Sequence, residues 1–158
     1  MKITSMEIPK QAYIYGAIHI LSNRLQTVGD KIDPTISSKQ WFLLAVVSKF
    51  KGTPPNIGEV AEVLGTSRQN VKKMATILEK RGFLKLEKNK CDLRNIQIFL
   101  TEKCGDYFKS REQQEIEYIG RIFSDIDNKT LDSLCGGLGK ISDNIDKLLE
   151  DDINAEIE

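Results

Sequence analysis

Cationic and amide side chains recur along one face of a short predicted helix in the middle of the chain. Between Ser67 and Gly82, apolar positions at helical spacing predict the buried side of this helix. The opposite side carries amides, which suit adenine, and cations, which suit guanine or phosphate. On and beside this face lie Arg68, Gln69, Asn70, Lys72, Lys73, Thr76 and Lys80. These residue types at this spacing favour contact with nucleic acid.

A second, shorter helical pattern precedes this helix. Apolar residues from Ile57 to Leu64 keep helical spacing, and Gly65 ends the pattern. Ser67 can cap the following helix, because its hydroxyl can accept a hydrogen bond from a backbone N–H of the first turn. Two helices across a turn of about three residues, the second with a cationic outer face, predict a DNA-binding helix-turn-helix.

The charges of the chain are unevenly distributed, although its 23 basic and 23 acidic side chains cancel. Residues 1–65 carry a net charge of +2, residues 66–111 carry +7 and residues 112–158 carry −9. Because the positive segment coincides with the helix-turn-helix, we expect it to face phosphate and the acidic segment to point away. A merely solvated charged surface is the alternative.

After Gly82 the apolar period changes from that of a helix to two. Residues 84–87 and 96–101 alternate apolar and polar side chains around a polar, basic loop, which predicts a β-hairpin, or wing. Lys88 and Lys90 lie on this wing. The wing therefore adds cations beside the helix-turn-helix.

Long helices are predicted on both sides of this region. Residues 10–30 form an amphipathic pattern, residues 38–50 predict a helix buried nearly all round, and Thr101 can cap a helix that runs to about Phe123. Heptad spacing then continues through Leu134, Leu138, Ile141, Ile145 and Leu148. Since the central domain has its own core, we expect this stripe to form a homodimer with the other long helices.

The predicted fold class is mostly α with a small β-hairpin wing (α+β): a winged helix-turn-helix flanked by N- and C-terminal dimerisation helices. Residues 37–101 form the predicted DNA-binding domain, and residues 1–36 with 102–158 form the helical dimerisation region. The chain has one histidine, no phosphate-binding glycine loop, no nucleophile elbow and no metal-type spacing, so we expect no catalytic residue, cofactor or metal.

The three cysteines, Cys91, Cys104 and Cys135, are odd in number and widely spaced, so no disulfide framework is predicted. The N-terminus lacks the pattern of a signal peptide, and no apolar run reaches the length of a membrane span. We therefore expect a cytoplasmic protein without a membrane partner. Whether any of the three thiols is redox-active stays open at this point.

The wing and the helix-turn-helix together resemble the MarR (multiple antibiotic resistance regulator) family of winged-helix transcription factors. The family pattern of Asp, any residue, Arg, five residues and Leu-Thr is matched by Asp92, Arg94 and the pair Leu100–Thr101. The segments 64–71 and 78–84 also look like family sequence. The family usually has a glycine where this chain has Cys104, a departure at the start of the next helix rather than at the predicted DNA contact.

The resemblance implies a role for each matching residue. The first part of the second helix would enter the major groove, and the wing Arg94, steadied by Asp92, would reach the minor groove. The residues assigned to DNA are Ser67, Arg68, Gln69, Asn70, Lys72, Lys73, Lys88, Lys90, Asp92 and Arg94. A homodimer that reads a palindromic operator and represses transcription is the expected function. A winged-helix protein-interaction module that does not bind DNA is the alternative.

The resemblance also implies a small aromatic or phenolic effector between the DNA-binding and dimer regions. His19, Trp41 and Tyr107 are the candidate contacts. The alternatives are that His19 and Trp41 are packed core residues and that the protein binds DNA constitutively.

Overall fold

The structure, a computed structural model, describes residues 9–89, 92 and 95–155. This part of the chain contains six helices and one two-stranded hairpin, which lies between the fourth and fifth helices. In chain order they are α1 (Lys10–Ile32), α2 (Ser38–Val47), α3 (Ile57–Val63), α4 (Arg68–Lys80), β1 (Leu84–Lys88), β2 (Ile96–Leu100), α5 (Glu102–Ile122) and α6 (Asn128–Ala155). The mostly α fold with a two-stranded hairpin is confirmed.

The chain divides into two compact units, Met1–Ser110 and Arg111–Glu158, with the boundary inside α5. The core of the first unit lies among α2, α3, α4 and the hairpin. Leu43, Leu44, Val60, Leu78 and Ile98 are almost completely buried there. Since burial of a Leu or Ile side chain contributes roughly 1.5–3 kcal/mol, these contacts fix the orientation of α4.

Helix α2 differs from its sequence-based prediction in length and in exposure. It ends at Val47 rather than near residue 50, and Phe42 is 53% exposed. The prediction that this helix is buried nearly all round is therefore wrong. Leu43 and Leu44 enter the core, whereas Phe42 lies on a side of α2 that faces away from the core and is exposed in the single chain.

Short-range signals for helix ends are confirmed. Asn56 and Glu59 form a capping box at the start of α3, with Asn56 Oδ1 accepting from Glu59 N and the Glu59 carboxylate accepting from Asn56 N. Gly65 and Gly82 follow α3 and α4 with φ values of 59° and 79°, a region that glycine enters without steric cost. These ends set the lengths of both helices of the helix-turn-helix.

The long helices keep their apolar stripes at the surface of the single chain. No residue of α1 is buried, and the apolar residues of its amphipathic pattern are exposed: Ile14, Ile18, Leu21, Leu25 and Val28. In α6, which includes the predicted heptad segment, Ile141 is half-buried and the other four stripe residues are exposed. Across the part of the chain described above, no helix has both the length and the apolar character needed to cross a membrane.

Candidate nucleic-acid interface

The start of α4 is held by polar contacts of the preceding turn. Ser67 Oγ accepts a hydrogen bond from Asn70 N at 3.2 Å, which confirms Ser67 as the N-cap. The Asn70 amide nitrogen donates to Thr66 Oγ1, also at 3.2 Å. Two of the residues assigned to DNA therefore also fix the turn between α3 and α4, which comprises residues 64–67.

The two sides of α4 differ as the sequence predicts. Val71, Ala75 and Leu78 are buried on the inner side. Gln69, Lys72, Lys73 and Lys80 are exposed on the outer side. The outer side contains a shallow depression, whose lining residues are Gln69, Lys72, Lys73, Thr76 and Ile77. A helix fixed on one side and cationic on the other can present its side chains to a nucleic-acid groove without rearranging.

Ile77 belongs to this outer surface although the sequence reasoning did not include it. Its side chain is 36% exposed and lies next to Thr76 in the depression. Its position, one residue before the buried Leu78, is the signal that could have placed it at the edge of the apolar stripe. It gives the depression an apolar wall beside the amide and the cations.

Arg68 lies at the N-terminal end of α4 and is exposed. Its guanidinium is close to the backbone of α3, because a Cβ atom built on Gly58 would be 3.3 Å from Arg68 Nε. The structure thus brings Arg68 to the junction of the two helices of the helix-turn-helix.

The wing is a regular antiparallel pair. Its register runs from Leu84 opposite Leu100 to Lys88 opposite Ile96. At its base, Thr101 N donates to the carbonyl of Phe83 at 3.1 Å. The predicted strands and their boundaries are confirmed to within one residue.

The tip of the wing is partly described. Lys88 and Asp92 are exposed, and Asn95 N donates to the carbonyl of Asp92 at 2.9 Å. Lys90 and Arg94, both assigned to DNA, lie outside the described residues. Their roles stay predictions from the sequence.

Both outer edges of the hairpin are bonded to other parts of the helix-turn-helix, a feature that the sequence reasoning missed. On one edge, Leu86 N donates to Glu79 Oε1 of α4 at 2.7 Å. On the other edge, Ile98 N donates to the carbonyl of Pro55, before α3, at 2.9 Å. The wing is therefore joined to α4 and to the segment before α3 by hydrogen bonds at the same level of the sheet.

The C-terminal end of α4 is also held by contacts that the sequence patterns do not predict. A guanidinium nitrogen of Arg81 donates to the carbonyl of Thr35, in the segment between α1 and α2. Lys103 Nζ donates to the carbonyl of Arg81 at 2.6 Å and lies 4.9 Å from the centre of the Phe83 ring. These contacts tie α4 to the segments that begin α2 and α5.

The three residues assigned to an effector lie in different surroundings. Tyr107 hydrogen-bonds through its hydroxyl to buried Asp33, and Trp41 packs half-buried against the core. His19 is exposed on α1 with its ring 4.8 Å from that of Tyr15, so the alternative of a packed core histidine is wrong for the single chain. Fourteen residues separate His19 from Asp33, or roughly 20 Å along a helix axis.

The described cysteines have contrasting environments. Cys104 is buried in the core, and desolvation raises the pKa of its thiol from 9.0 to about 11. Cys135 on α6 is exposed, and Cys91 lies outside the described residues. Because the thiolate is the reactive form, Cys104 is inert at neutral pH. Among the residues that the structure describes, no cluster of three or more histidine, cysteine or carboxylate side chains is arranged to hold a metal ion.

Comparison with known proteins agrees with this geometry. A sequence profile described as "MarR family" matches residues 33–94, from the segment after α1 to the wing. A search of curated proteins finds no match.

Similar solved structures cover nearly the whole chain at low sequence identity. A MarR/EmrR family transcriptional regulator from Acinetobacter sp. ADP1 has a TM-score of 0.76 at 19% identity, covering 89% of this chain and 99% of that one. A MarR transcriptional regulator from Methanosarcina mazei Go1 has a TM-score of 0.74 at 23% identity, covering 87% and 99%. MepR of S. aureus, in a DNA complex, has a TM-score of 0.69 at 14% identity, covering 88% and 99%. The fold of this chain is therefore shared by all three.

Proposed function

We propose that this chain is a DNA-binding transcription regulator of the MarR family, and that it is a cytoplasmic repressor that binds a palindromic operator as a homodimer. The observation that carries the proposal is the exposed outer face of α4. Gln69, Lys72 and Lys73 share that face, while the inner face of the same helix is fixed in the core. An amide can read adenine, and a lysine can read guanine or hold phosphate.

Further support comes from the way the wing is held beside α4. Lys88 is exposed at the end of β1, and the hairpin is bonded to both α4 and the segment before α3. Helix and wing therefore form one rigid reading surface in each chain. One of the similar structures, MepR, contains DNA, which supports the same use of the fold here.

The homodimer part of the proposal rests on exposed apolar side chains of the long helices. The described stripe residues of α6 are Leu134, Leu138, Ile141, Ile145 and Leu148, of which four are exposed in one chain. Burial of such residues against a second copy would place two reading surfaces at a fixed spacing. Two half-sites about one helical turn apart, related by a two-fold axis, then follow from the symmetry.

The direct test is selection of duplexes from a random pool, followed by binding measurements at several salt concentrations. With the selected operator, Gln69→Ala and Lys73→Ala should each reduce the preference for operator over random DNA by about tenfold, because each removes a base contact of roughly 1–3 kcal/mol. Arg94→Ala should weaken binding to all sequences and reduce the slope of affinity against salt by about one.

Matched controls separate these effects from general ones. Gln113→Ala and Lys147→Ala remove the same chemical groups from exposed positions on α5 and α6 and should leave the preference unchanged. If the wild-type protein enriches no duplex at low salt, the alternative of a protein-interaction module replaces the DNA-binding proposal. If Gln69→Ala and Lys73→Ala keep the full preference, the outer face of α4 is not the reading surface.

We also propose release of DNA by a small aromatic or phenolic effector. Trp41 and Tyr107, which pack against the core near the α1–α2 junction, support such a site, whereas His19 lies farther along α1. A tenfold loss of operator affinity needs only about 1.4 kcal/mol of coupling. Titration with salicylate-like anions should quench Trp41 fluorescence and weaken operator binding over the same concentration range; quenching without weaker binding would contradict release.

A further inference from the structure

We propose that Glu79 is a positioning residue that sets the wing against α4 and so fixes how helix and wing reach DNA together; the DNA part of this inference rests on the function proposed above. Glu79 is half-buried on α4, whose outer face carries the candidate base contacts. Its carboxylate accepts the hydrogen bond from Leu86 N at 2.7 Å.

The register of the hairpin explains why this one backbone group is available. In an antiparallel pair, opposite residues alternate between pairs that exchange backbone hydrogen bonds and pairs whose N–H groups point outward. Leu86 lies opposite Ile98, and both of their N–H groups point outward. One goes to Glu79 and the other to the carbonyl of Pro55, so a single level of the sheet is held from both sides.

The two attachments differ in what they connect. The bond to Pro55 is a backbone contact with the segment before α3, and substitution of a side chain leaves its acceptor in place. The bond to Glu79 is made by a side chain of α4 itself, the helix that carries Gln69 and Lys73. Glu79 therefore links the two proposed DNA-contacting elements directly, and a hydrogen bond to a charged acceptor is stronger than a neutral one.

Substitution of a carboxylate that acts only through its charge should change DNA affinity in the opposite direction from substitution of a positioning residue. Removal of a negative charge reduces repulsion of phosphate and should tighten binding to any duplex. A positioning role requires the reverse result, because loss of the bond frees the wing cations from their fixed distance to α4. The sign of the change in affinity therefore distinguishes the two roles.

The test compares Glu79→Ala, Glu79→Gln and the control Glu62→Ala in the full chain with the selected operator. Glu62 is an exposed carboxylate on α3, so its substitution makes the same change in net charge. We expect Glu79→Ala to bind about five- to tenfold more weakly, with a smaller salt slope, because a charged hydrogen bond is lost and wing cations leave the phosphates. Glu79→Gln keeps an oxygen acceptor and should restore most of the affinity, and Glu62→Ala should bind as tightly as wild type or more tightly.

Measurement of Glu79→Ala in two mutant backgrounds separates positioning from a general loss of structure. In a background with Lys88→Ala and Arg94→Ala, the effect of Glu79→Ala should fall below about twofold, because no wing cation remains to be positioned. In a Gln69→Ala background it should keep its full size. An equal effect in both backgrounds, or binding by Glu79→Ala that matches Glu62→Ala, would overturn the proposal.

The same contact is measured without DNA by hydrogen exchange of the Leu86 amide. Exchange should be faster in Glu79→Ala and close to wild type in Glu79→Gln, with Ile98 protected in both. Unchanged Leu86 protection in Glu79→Ala would overturn the positioning role. If the exchange result is as expected but the wild-type protein binds no duplex, the proposed function fails while the link between wing and helix is supported.

Discussion

Apolar side chains are buried in the winged-helix core and remain at the surface in the long helices α1 and α6. In the core, Leu43, Leu78 and Ile98 are almost completely buried. In α1 and α6, no described side chain is buried, although both helices carry apolar stripes. The difference indicates that contacts within one chain stabilise the core, whereas we propose that the long helices require a second copy of the chain. The stability of α1 and α6 should therefore depend on protein concentration, whereas that of the core should not.

Charges placed on the stripe of α6 should have the largest effect, because they should prevent burial of this stripe against a second copy. Leu138→Asp with Ile145→Asp changes side chains that are 53% and 50% exposed in one chain, so a monomer should tolerate them. Since each buried Leu or Ile contributes roughly 1.5–3 kcal/mol and a dimer contains two copies of each, dimer affinity should fall more than about a thousandfold. Analytical ultracentrifugation measures this directly.

The control for this variant is Lys140→Asn with Lys147→Asn. It changes the net charge by the same amount at exposed positions of α6 outside the stripe and should leave the dimer intact. A wild-type protein that sediments as a monomer at micromolar concentration, or a dimeric double Asp variant, would contradict the proposed role of α6.

Alkaline pH should weaken the core region more than the long helices. Burial raises the pKa of Cys104 from 9.0 to about 11, so the folded state keeps a neutral thiol where the unfolded chain ionises. The stability from this group is fully present below about pH 9 and is lost as pH rises through 11. With two pKa units between the states, the loss is about 3 kcal/mol at most.

Urea unfolding of wild type and Cys104→Ala between pH 8 and 11 measures this loss. Cys104→Ala should be less stable at pH 8 but should show a smaller decrease towards pH 11. Cys135→Ala, at an exposed position on α6, should keep the wild-type pH dependence. Identical pH dependence in wild type and Cys104→Ala would show that the buried thiol is not the cause.

The smallest expected effects concern two helix caps, one in each region. Ser67 caps α4, and Asp127 accepts from Thr130 N at 2.7 Å at the start of α6. Ser67→Ala should cost about 1 kcal/mol at any pH, because the hydroxyl does not titrate in this range. Hydrogen bonds from Thr130, through its side chain first and its backbone second, lower the pKa of Asp127 from 3.8.

The cap of Asp127 is therefore present above about pH 4 and lost as pH falls through its lowered pKa in the folded state. On acidification, hydrogen exchange should show loss of protection at Thr130 but not at Asn70, whose N–H is bonded to Ser67. Equal loss at both amides would indicate general unfolding rather than loss of one cap.

Features set by neighbouring residues were predictable from the sequence, and features set by distant ones were not. The cap at Ser67, the helix ends at Gly65 and Gly82 and the two strands each depend on fewer than about ten consecutive residues, and all are confirmed. The hydrogen bond between Asp33 and Tyr107 joins residues 74 positions apart, and neither carries a local signal of its partner.

The candidate site follows the same rule. The exposed positions of Gln69, Lys72 and Lys73 follow from helical spacing against the buried Val71 and Ala75. Glu79 was overlooked because its partner is a backbone N–H, which every residue except proline carries. The exposure of Phe42 was also not predictable from the sequence, since the hydrophobicity of a residue alone does not show where the core ends.

The occupied edges of the wing also bear on how the protein behaves when concentrated. A two-stranded sheet consists only of edge strands, and free edge N–H groups invite strand addition by another molecule and hence aggregation. Here the outward N–H groups of Leu86 and Ile98 are already bonded, and Lys85 and Lys88 are exposed on β1. The hairpin therefore offers a poor template for intermolecular β-sheet, and its cations repel a second copy approaching along that edge.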